Sequence, residues 1–263
     1  MPPISLHALT FGHKPVNPAN HFYGLSPLPQ GLETQLYFWC IRDAAQGVIL
    51  VDQGCGRATV AAMGIAPCLT AEPAELLERL DVRPGDVRHV IVSHLHWDHF
   101  GGDDIFPNAV YHVHSRELAH TDGPLMRFPF YAQHYSEAAL RAFRRLREAG
   151  RVRVMEKDTF TLTDGVECLR MGGHSPGLLS VAVRGPEGEF LICSDVLPRY
   201  RNLEDGIPCG IHYDVTEALE ALETLGKRAG TAERVLPGHE PLLTARFPEI
   251  APGVHAIFGD SPR

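Results

Sequence analysis

Three imidazoles and a carboxylate fall within six positions at His94-Leu95-His96-Trp97-Asp98-His99, followed by Phe100-Gly101-Gly102. Histidine with aspartate is a borderline-to-hard donor set, suited to zinc and also to manganese, iron or cobalt, and the cluster contains no thiolate. The apolar run Val90-Ile91-Val92 ahead of it reads as a buried strand opening into a loop, so the donors stand on a rigid edge. On an extended segment His94 and His96 project to one side and can share one ion, while Asp98 and His99 turn past it toward a second. Four residues cannot close two coordination shells, so more donors are required downstream, each where a strand ends. Three candidates meet that requirement: His174 in the tight turn Gly172-Gly173-His174-Ser175-Pro176-Gly177, Asp195 at the end of Phe190-Leu191-Ile192-Cys193-Ser194-Asp195, and His239 in Leu236-Pro237-Gly238-His239-Glu240.

The spacing His94-x-His96-x-Asp98-His99, with His174, Asp195 and His239 following in order, resembles the signature of the metallo-β-lactamase superfamily, and the likeness covers nearly the whole chain. The resemblance implies that His94, His96 and His174 hold one ion, that Asp98, His99 and His239 hold another, and that Asp195 bridges them. Two divalent ions, zinc above manganese, iron or cobalt, would form an electrophilic centre suited to hydrolysis. Asp98 is expected to act catalytically as well, taking a proton from the attacking water and returning it to the leaving oxygen. Asp52-x-Gly54 resembles the turn that braces the metal loop from behind.

Within the superfamily, the chain is most similar to the branch of quorum-quenching N-acyl-homoserine lactonases. It keeps both His99 and Asp195, has His96 where diiron flavoproteins carry a glutamate, and has only 24 residues after His239 where glyoxalase II-type thioesterases append a helical region. The expected activity is lactone opening. The alternatives are hydrolysis of another ester, a thioester, a β-lactam or a phosphotriester, oxygen chemistry on one iron as in persulfide dioxygenases, and a non-catalytic sensor. Several members of the branch have a tyrosine three residues after the bridging aspartate. Pro198 stands there instead, which makes Tyr200 the nearest phenol and a candidate catalytic residue. The aromatic segments at 22–23 and 126–131, with Phe22, Tyr23, Met126 and Phe128 as the named candidates and Phe130 and Tyr131 beside them, could form an apolar substrate trough.

A scaffold must hold these donors, and 263 residues with 44% hydrophobic and 21% charged side chains suffice for one globular domain, expected to span 1–263. A net charge of −8 without a basic tract argues against nucleic acid as partner, leaving a small-molecule substrate; a homodimer stays open. The opening Met1-Pro2-Pro3-Ile4-Ser5 has no leader character and no apolar run is long enough for a membrane span, so a cytoplasmic location without membrane association is expected. Six scattered cysteines without a Cys-x-x-Cys pair suit reduced thiols.

Strands are predicted at 4–11, 35–42, 48–51 and 109–114, then at 152–155, 159–163, 166–171, 178–184 and 189–193, with helices at 73–81, 136–149 and 215–229. Asp214 and Glu217 are spaced as a capping box for the last helix, with Leu219, Leu222 and Leu225 as its apolar stripe. His112 and His114 share a face of their strand, read as a polar face, and Arg141, Arg144, Arg145 and Arg147 read as a solvated helix face. The proline-broken segment between the first two strands, carrying His21, Phe22 and Tyr23, is long enough to cover a site. This order of elements, with the resemblance, implies an α/β fold: an αββα sandwich of two mixed β-sheets flanked by helices.

Overall fold

Along β2 (Glu33–Asp43) the side chains alternate, sending Leu36, Phe38 and Cys40 into one apolar cluster and Tyr37, Trp39 and Ile41 into another. A strand buried on both faces must lie inside a layered stack. The computed structural model, which describes residues 4–66, 68–102 and 104–259, builds that stack from two mixed sheets. The larger contains β1 (Ile4–Pro15), β2, β3 (Gly47–Val51), β4 (Val87–Ile91), β5 (Val110–His114), β6 (Val152–Met155) and, at its far edge, β12 (Glu249–Ala251) and β13 (Val254–Phe258), in the order β12-β13-β1-β2-β3-β4-β5-β6. β3 to β6 run parallel, and the other pairs are antiparallel. The smaller sheet orders β7 (Thr159–Thr163), β8 (Val166–Arg170), β9 (Leu179–Gly185), β10 (Gly188–Ser194) and β11 (Val235–Pro237) as β11-β10-β9-β8-β7, with only β10 and β11 parallel.

Three apolar layers hold the stack together. Between the sheets lie Trp39, Ile41, Ile49 and Val51 against Val181, Val183, Ile192 and Leu236. Outside the larger sheet, Phe38, Val90 and Tyr111 pack under the helices Pro73–Glu78 and Glu137–Glu148 through Leu76, Leu77, Leu140 and Phe143. Outside the smaller sheet, Leu191 and Cys193 meet Leu222 and Leu225 of the helix Val215–Ala229. The αββα order predicted from sequence is therefore present, and all six cysteines are buried and outside any disulfide. No helix among the described residues is long and apolar enough to cross a membrane.

Several local readings need correction. Leu219 is 45% exposed, because Ala218 and Ala221 take the inner face beside Leu222 and Leu225. Asp214 caps that helix by accepting from the Thr216 and Glu217 N–H groups, but Glu217 reaches Arg170 and Arg116 instead of completing the box. The helix predicted over 73–81 ends at Glu78. Short helices at Arg57–Ala62, Ser115–Thr121, Pro129–Ala132, Tyr200–Glu204 and Leu242–Arg246, and the edge strand β12 with its neighbour β13, carry too few residues for a periodicity signal.

His112 and His114 are buried, so their strand face is not solvated. The His112 ring lies 3.1 Å from His89, and His114 caps the helix Ser115–Thr121 through the Arg116 N–H. Burial, then the nearby His89 and Arg153, lowers His112 to about 4 from an ordinary value of 6.5. Since its folded pKa lies below the unfolded one, His112 contributes stability that is present above about pH 6.5 and lost as the pH falls toward 4. The urea-derived stability of the wild type is expected to decline across that window by up to about 1.4 kcal/mol per pH unit from this residue, and His112→Asn should flatten the decline. Parallel pH profiles for the two proteins would refute the assignment.

Candidate metal centre

Every predicted donor sits at the same end of the sandwich. The loop after β4 carries His94 to His99, the turn between β8 and β9 carries His174, β10 ends at Asp195, and β11 leads to His239. Two groups result, His94, His96, His174 and Asp195 in one and Asp98, His99 and His239 in the other, each with its ligand atoms within 4.8 Å of one another. All are buried except Asp98, which is partly exposed to the cleft.

The imidazoles are held by their far nitrogens. His99 Nδ1 donates to Asp52 Oδ2 at 2.7 Å, His174 Nδ1 to the Ile211 carbonyl at 2.7 Å, and His239 Nδ1 to the Gln35 carbonyl at 2.8 Å. A carboxylate or carbonyl can only accept, so the Nε2 lone pair of each ring is left for the site. These lone pairs converge on Asp195: Oδ1 lies 3.3 Å from His99 Nε2 and 3.1 Å from His239 Nε2, while Oδ2 lies 3.3 Å from His174 Nε2. Asp195 thus turns one oxygen toward each group.

Charge and hydrogen bonding both fit a cation. His94 Nε2, His99 Nε2 and Asp195 Oδ1 are buried without a protein hydrogen-bond partner, although such atoms are nearly always satisfied. His174 Nε2 and His96 Nδ1 lie 3.0 Å apart. Burial, then neighbouring imidazoles, holds His94 and His96 well below the usual histidine range and keeps them neutral and able to ligate. Burial alone would lower His99, but Asp195, Asp52 and Asp98 outweigh it and raise its pKa well above normal. Burial likewise opposes ionised Asp195, yet His239, His99 and His174 hold it well below the usual carboxylate range. A divalent cation satisfies this negative surplus and the orphaned nitrogens together.

Local backbone geometry serves the same end. Asp52 and Ser194 take left-handed φ values of 62° and 49°, unusual for residues other than glycine. Asp52 accepts from Ser93 N at 2.7 Å and Ser93 Oγ at 2.8 Å as well as from His99, so the bracing role expected for its turn is met by contact. A Cβ on Gly238 would meet the Ser194 carbonyl at 2.6 Å, which is why only glycine lets His239 approach Asp195.

Glu117 escaped the sequence reading. It is fully buried, and its carboxylate accepts from Leu95 N at 3.0 Å, Ser175 Oγ at 2.8 Å and Gly177 N at 3.3 Å, joining the His94–His99 loop to the His174 turn. Burial raises its pKa, with those hydrogen bonds opposing. No spacing signal marks it, since one glutamate in a short helix reads as surface.

A cavity of about 100 Å³ above the donors is lined by Lys14, Asn20, His21, Thr34, Trp97, Asp98, His134, Pro198 and Cys209, among others. It shares Asn20, His96, His134 and Ile211 with a second cavity of about 200 Å³ walled by His120, Phe130, Tyr131, Tyr135 and Tyr213. A larger cavity of about 590 Å³ lies among the turns near 45, 164 and 185, and none of its described lining residues belongs to either donor group.

The remaining candidates lie elsewhere. Tyr200 packs against the inter-sheet core beneath Arg246, 4.9 Å from its guanidinium, and lines neither cavity at the donors. Phe22 is buried, Tyr23 is half-exposed with its ring 4.5 Å from His212, Met126 packs on the outer core, and Phe128 is exposed under Arg127. None of these four lines the two cavities, whereas Phe130 and Tyr131 from the same predicted segment do.

The family profile described as Metallo-beta-lactamase superfamily matches residues 35–239, a span that includes all seven donors. N-acyl homoserine lactonase AiiA of Bacillus thuringiensis subsp. kurstaki is 28% identical over 218 residues, covering 76% of this chain and 79% of its own length. An N-acyl homoserine lactonase of Bacillus cereus is also 28% identical, over 214 residues and with the same coverage. Among solved structures, a quorum-quenching N-acyl homoserine lactone lactonase superposes with a TM-score of 0.75 at 24% identity, over 92% of this chain and 94% of that one. AidC, a dizinc quorum-quenching lactonase, superposes with a TM-score of 0.69 at 16% identity, over 90% and 88%. At such identities the superpositions speak for the shared fold.

Proposed function

The chain belongs to the metallo-β-lactamase superfamily and is a metal-dependent hydrolase, and from that premise we propose that it opens lactone rings at a dinuclear centre, with N-acyl-homoserine lactones as substrates. The observation that carries the dinuclear reading is Asp195, whose two oxygens face two separate donor groups. His94, His96 and His174 would hold one ion, Asp98, His99 and His239 the other, and zinc suits this nitrogen-rich set. Divalent ions bound there supply Lewis acidity toward a carbonyl oxygen and generate a nucleophile from water near neutral pH.

The chain's own groups do the rest. Asp98 faces the cleft with its oxygens 4.0 Å from His99 Nε2 and 3.8 Å from His239 Nε2, too far for a hydrogen bond to either. That leaves it an acceptor for a proton from the attacking water and a donor of the same proton to the ring oxygen when the ester bond breaks. Phe130, Tyr131, Tyr135 and Tyr213 in the wall of the adjoining cavity offer ring faces against which an acyl group could pack. The lactonase relatives at 28% identity support the choice of substrate.

Asp98→Asn is expected to keep at least one metal per chain while turnover falls about 10²-fold or more. Turnover near the wild-type level would remove the proton-shuttle role. For the substrate, a pH-stat screen should set acyl-homoserine lactones of several chain lengths beside plain γ- and δ-lactones, a thioester, a β-lactam and an aryl phosphotriester. Acyl-homoserine lactones should be opened fastest. If any other class is cleaved far faster, the substrate reading is wrong and the hydrolase remains.

A further inference from the structure

Two imidazoles in the metal cleft, His21 and His134, belong to neither donor group. His21, from the segment between β1 and β2, is 5% exposed and lines the cavity above the donors together with Asp98 and Asp195. Its ring stacks on that of His239, with centroids 5.8 Å apart and planes inclined by 28°.

Arg199 decides which nitrogen of His21 carries the proton. The Arg199 guanidinium, itself buried, donates Nε–H to His21 Nδ1 at 3.0 Å. Arginine has donors only and stays protonated in proteins, so Nδ1 must be the acceptor. The neutral ring therefore carries its hydrogen on Nε2, and none of the described residues accepts it. Backbone contacts fix the ring's position as well: His21 N–H donates to the Pro18 carbonyl at 3.0 Å, and the His21 carbonyl accepts from the fully buried Asn202 at 2.7 Å. Asn202 also accepts from the Arg199 N–H at 3.0 Å, so one short stretch after Asp195 clamps both the backbone and the side chain of His21.

The other donors on the cavity wall are less constrained. The Lys14 ammonium lies over the Trp97 ring at 5.5 Å on a partly exposed side chain, and no hydrogen bond from a described residue sets the tautomer of His134, whose ring lies 5.3 Å from that of His96. A donor fixed before the substrate arrives costs no reorganisation as charge develops, which is what stabilises an oxyanion.

We propose that His21 is a catalytic residue that donates Nε2–H to the substrate carbonyl oxygen as it becomes negative, with Arg199 as the positioning residue that fixes its tautomer. The proposal rests on the hydrolase reading above and adds a role to it. The attacking water gives one proton to Asp98 while its oxygen bonds to the carbonyl carbon, and the carbonyl π pair moves onto the oxygen facing His21. When the carbonyl re-forms, the ring C–O bond breaks with its electron pair on the ring oxygen, and that oxygen takes the proton back from Asp98. The products are one hydroxyl and one carboxylic acid, and His21 keeps its own proton throughout.

The test uses His21→Phe, which keeps a ring against His239 without the donor, and His21→Gln, which restores a side-chain N–H. Both are assayed on whichever carbonyl substrate the metal-loaded wild type turns over fastest. Failure of the lactone reading then appears in the wild-type screen, and failure of the His21 role appears in the variants. His21→Phe should lower kcat about 10²-fold with KM changed by less than about threefold and metal content unchanged, and His21→Gln should recover about tenfold of the loss. A kcat for His21→Phe within about threefold of wild type, a parallel loss of metal, or no recovery in His21→Gln would overturn the proposal. Should either variant not fold, the nitrogen-15 spectrum of the wild-type His21 ring decides: protonation at Nε2 supports the role and protonation at Nδ1 overturns it.

Discussion

Replacing Asp195 with alanine is expected to cut turnover about 10³-fold or more while the protein still folds, because the variant loses the one carboxylate that faces both donor groups. The side chain is buried among His99, His174 and His239, whose Nε2 atoms lie 3.1–3.3 Å from it. Without it, those nitrogens keep their lone pairs but lose the negative charge that offsets a pair of cations. Elemental analysis should accordingly find fewer metal ions per chain than in the wild type, and His96→Ala should behave in the same way. Circular dichroism of the variant should match the wild type, since Asp195 belongs to none of the three apolar clusters. An Asp195→Ala protein with full metal content and turnover within tenfold of wild type would refute the bridging role.

The second large effect is expected at Asp52, which lines no cavity at the donors. Its carboxylate accepts from Ser93 N, Ser93 Oγ and His99 Nδ1, all within 2.8 Å, and is nearly inaccessible to water. Asp52→Ala leaves three buried donors unpaired, each costing about 1–3 kcal/mol, so a loss of about 3–5 kcal/mol in stability is expected from thermal or urea unfolding. Asp52→Asn is the sharper probe. An amide N–H facing His99 Nδ1 would force that nitrogen to become the acceptor, moving the ring proton to Nε2, where a metal must bind. This near-isosteric change should keep most of the stability but weaken metal affinity about 10–100-fold, measurable by competition with a chromophoric chelator. Equal affinity in Asp52→Asn and wild type would show that Asp52 braces the backbone without orienting the imidazole.

The difference between these two residues also marks how far the sequence could be read. By itself it pointed to the seven candidate donors that the fold gathers into two groups, through local position together with a family resemblance. His94 and His96 follow a buried apolar strand, Asp195 and His239 end strands, and His174 sits in a glycine turn, so strand period and strand end place them without knowledge of partners. The three-layer core was legible for the same reason: alternation along β2 and β10 and the stripes of the two long helices are short-range signals.

Only the tertiary structure decided what surrounds the donors. The cavity walls come from segments near 20, 130–135 and 209–213, brought together by irregular loops with no periodicity to read, so Phe130, Tyr131 and Tyr213 line a wall while Phe22, Tyr23, Met126 and Phe128 do not. Tyr200 was placed by nearness in sequence to Asp195, yet the helix Tyr200–Glu204 turns its ring toward Arg246 and the inter-sheet core. Glu117 and the pair of His21 with Arg199 join positions 58 to 178 residues apart. A hydrogen bond across such a separation depends on how the sheets and loops pack, and no spacing rule within one stretch of chain encodes it.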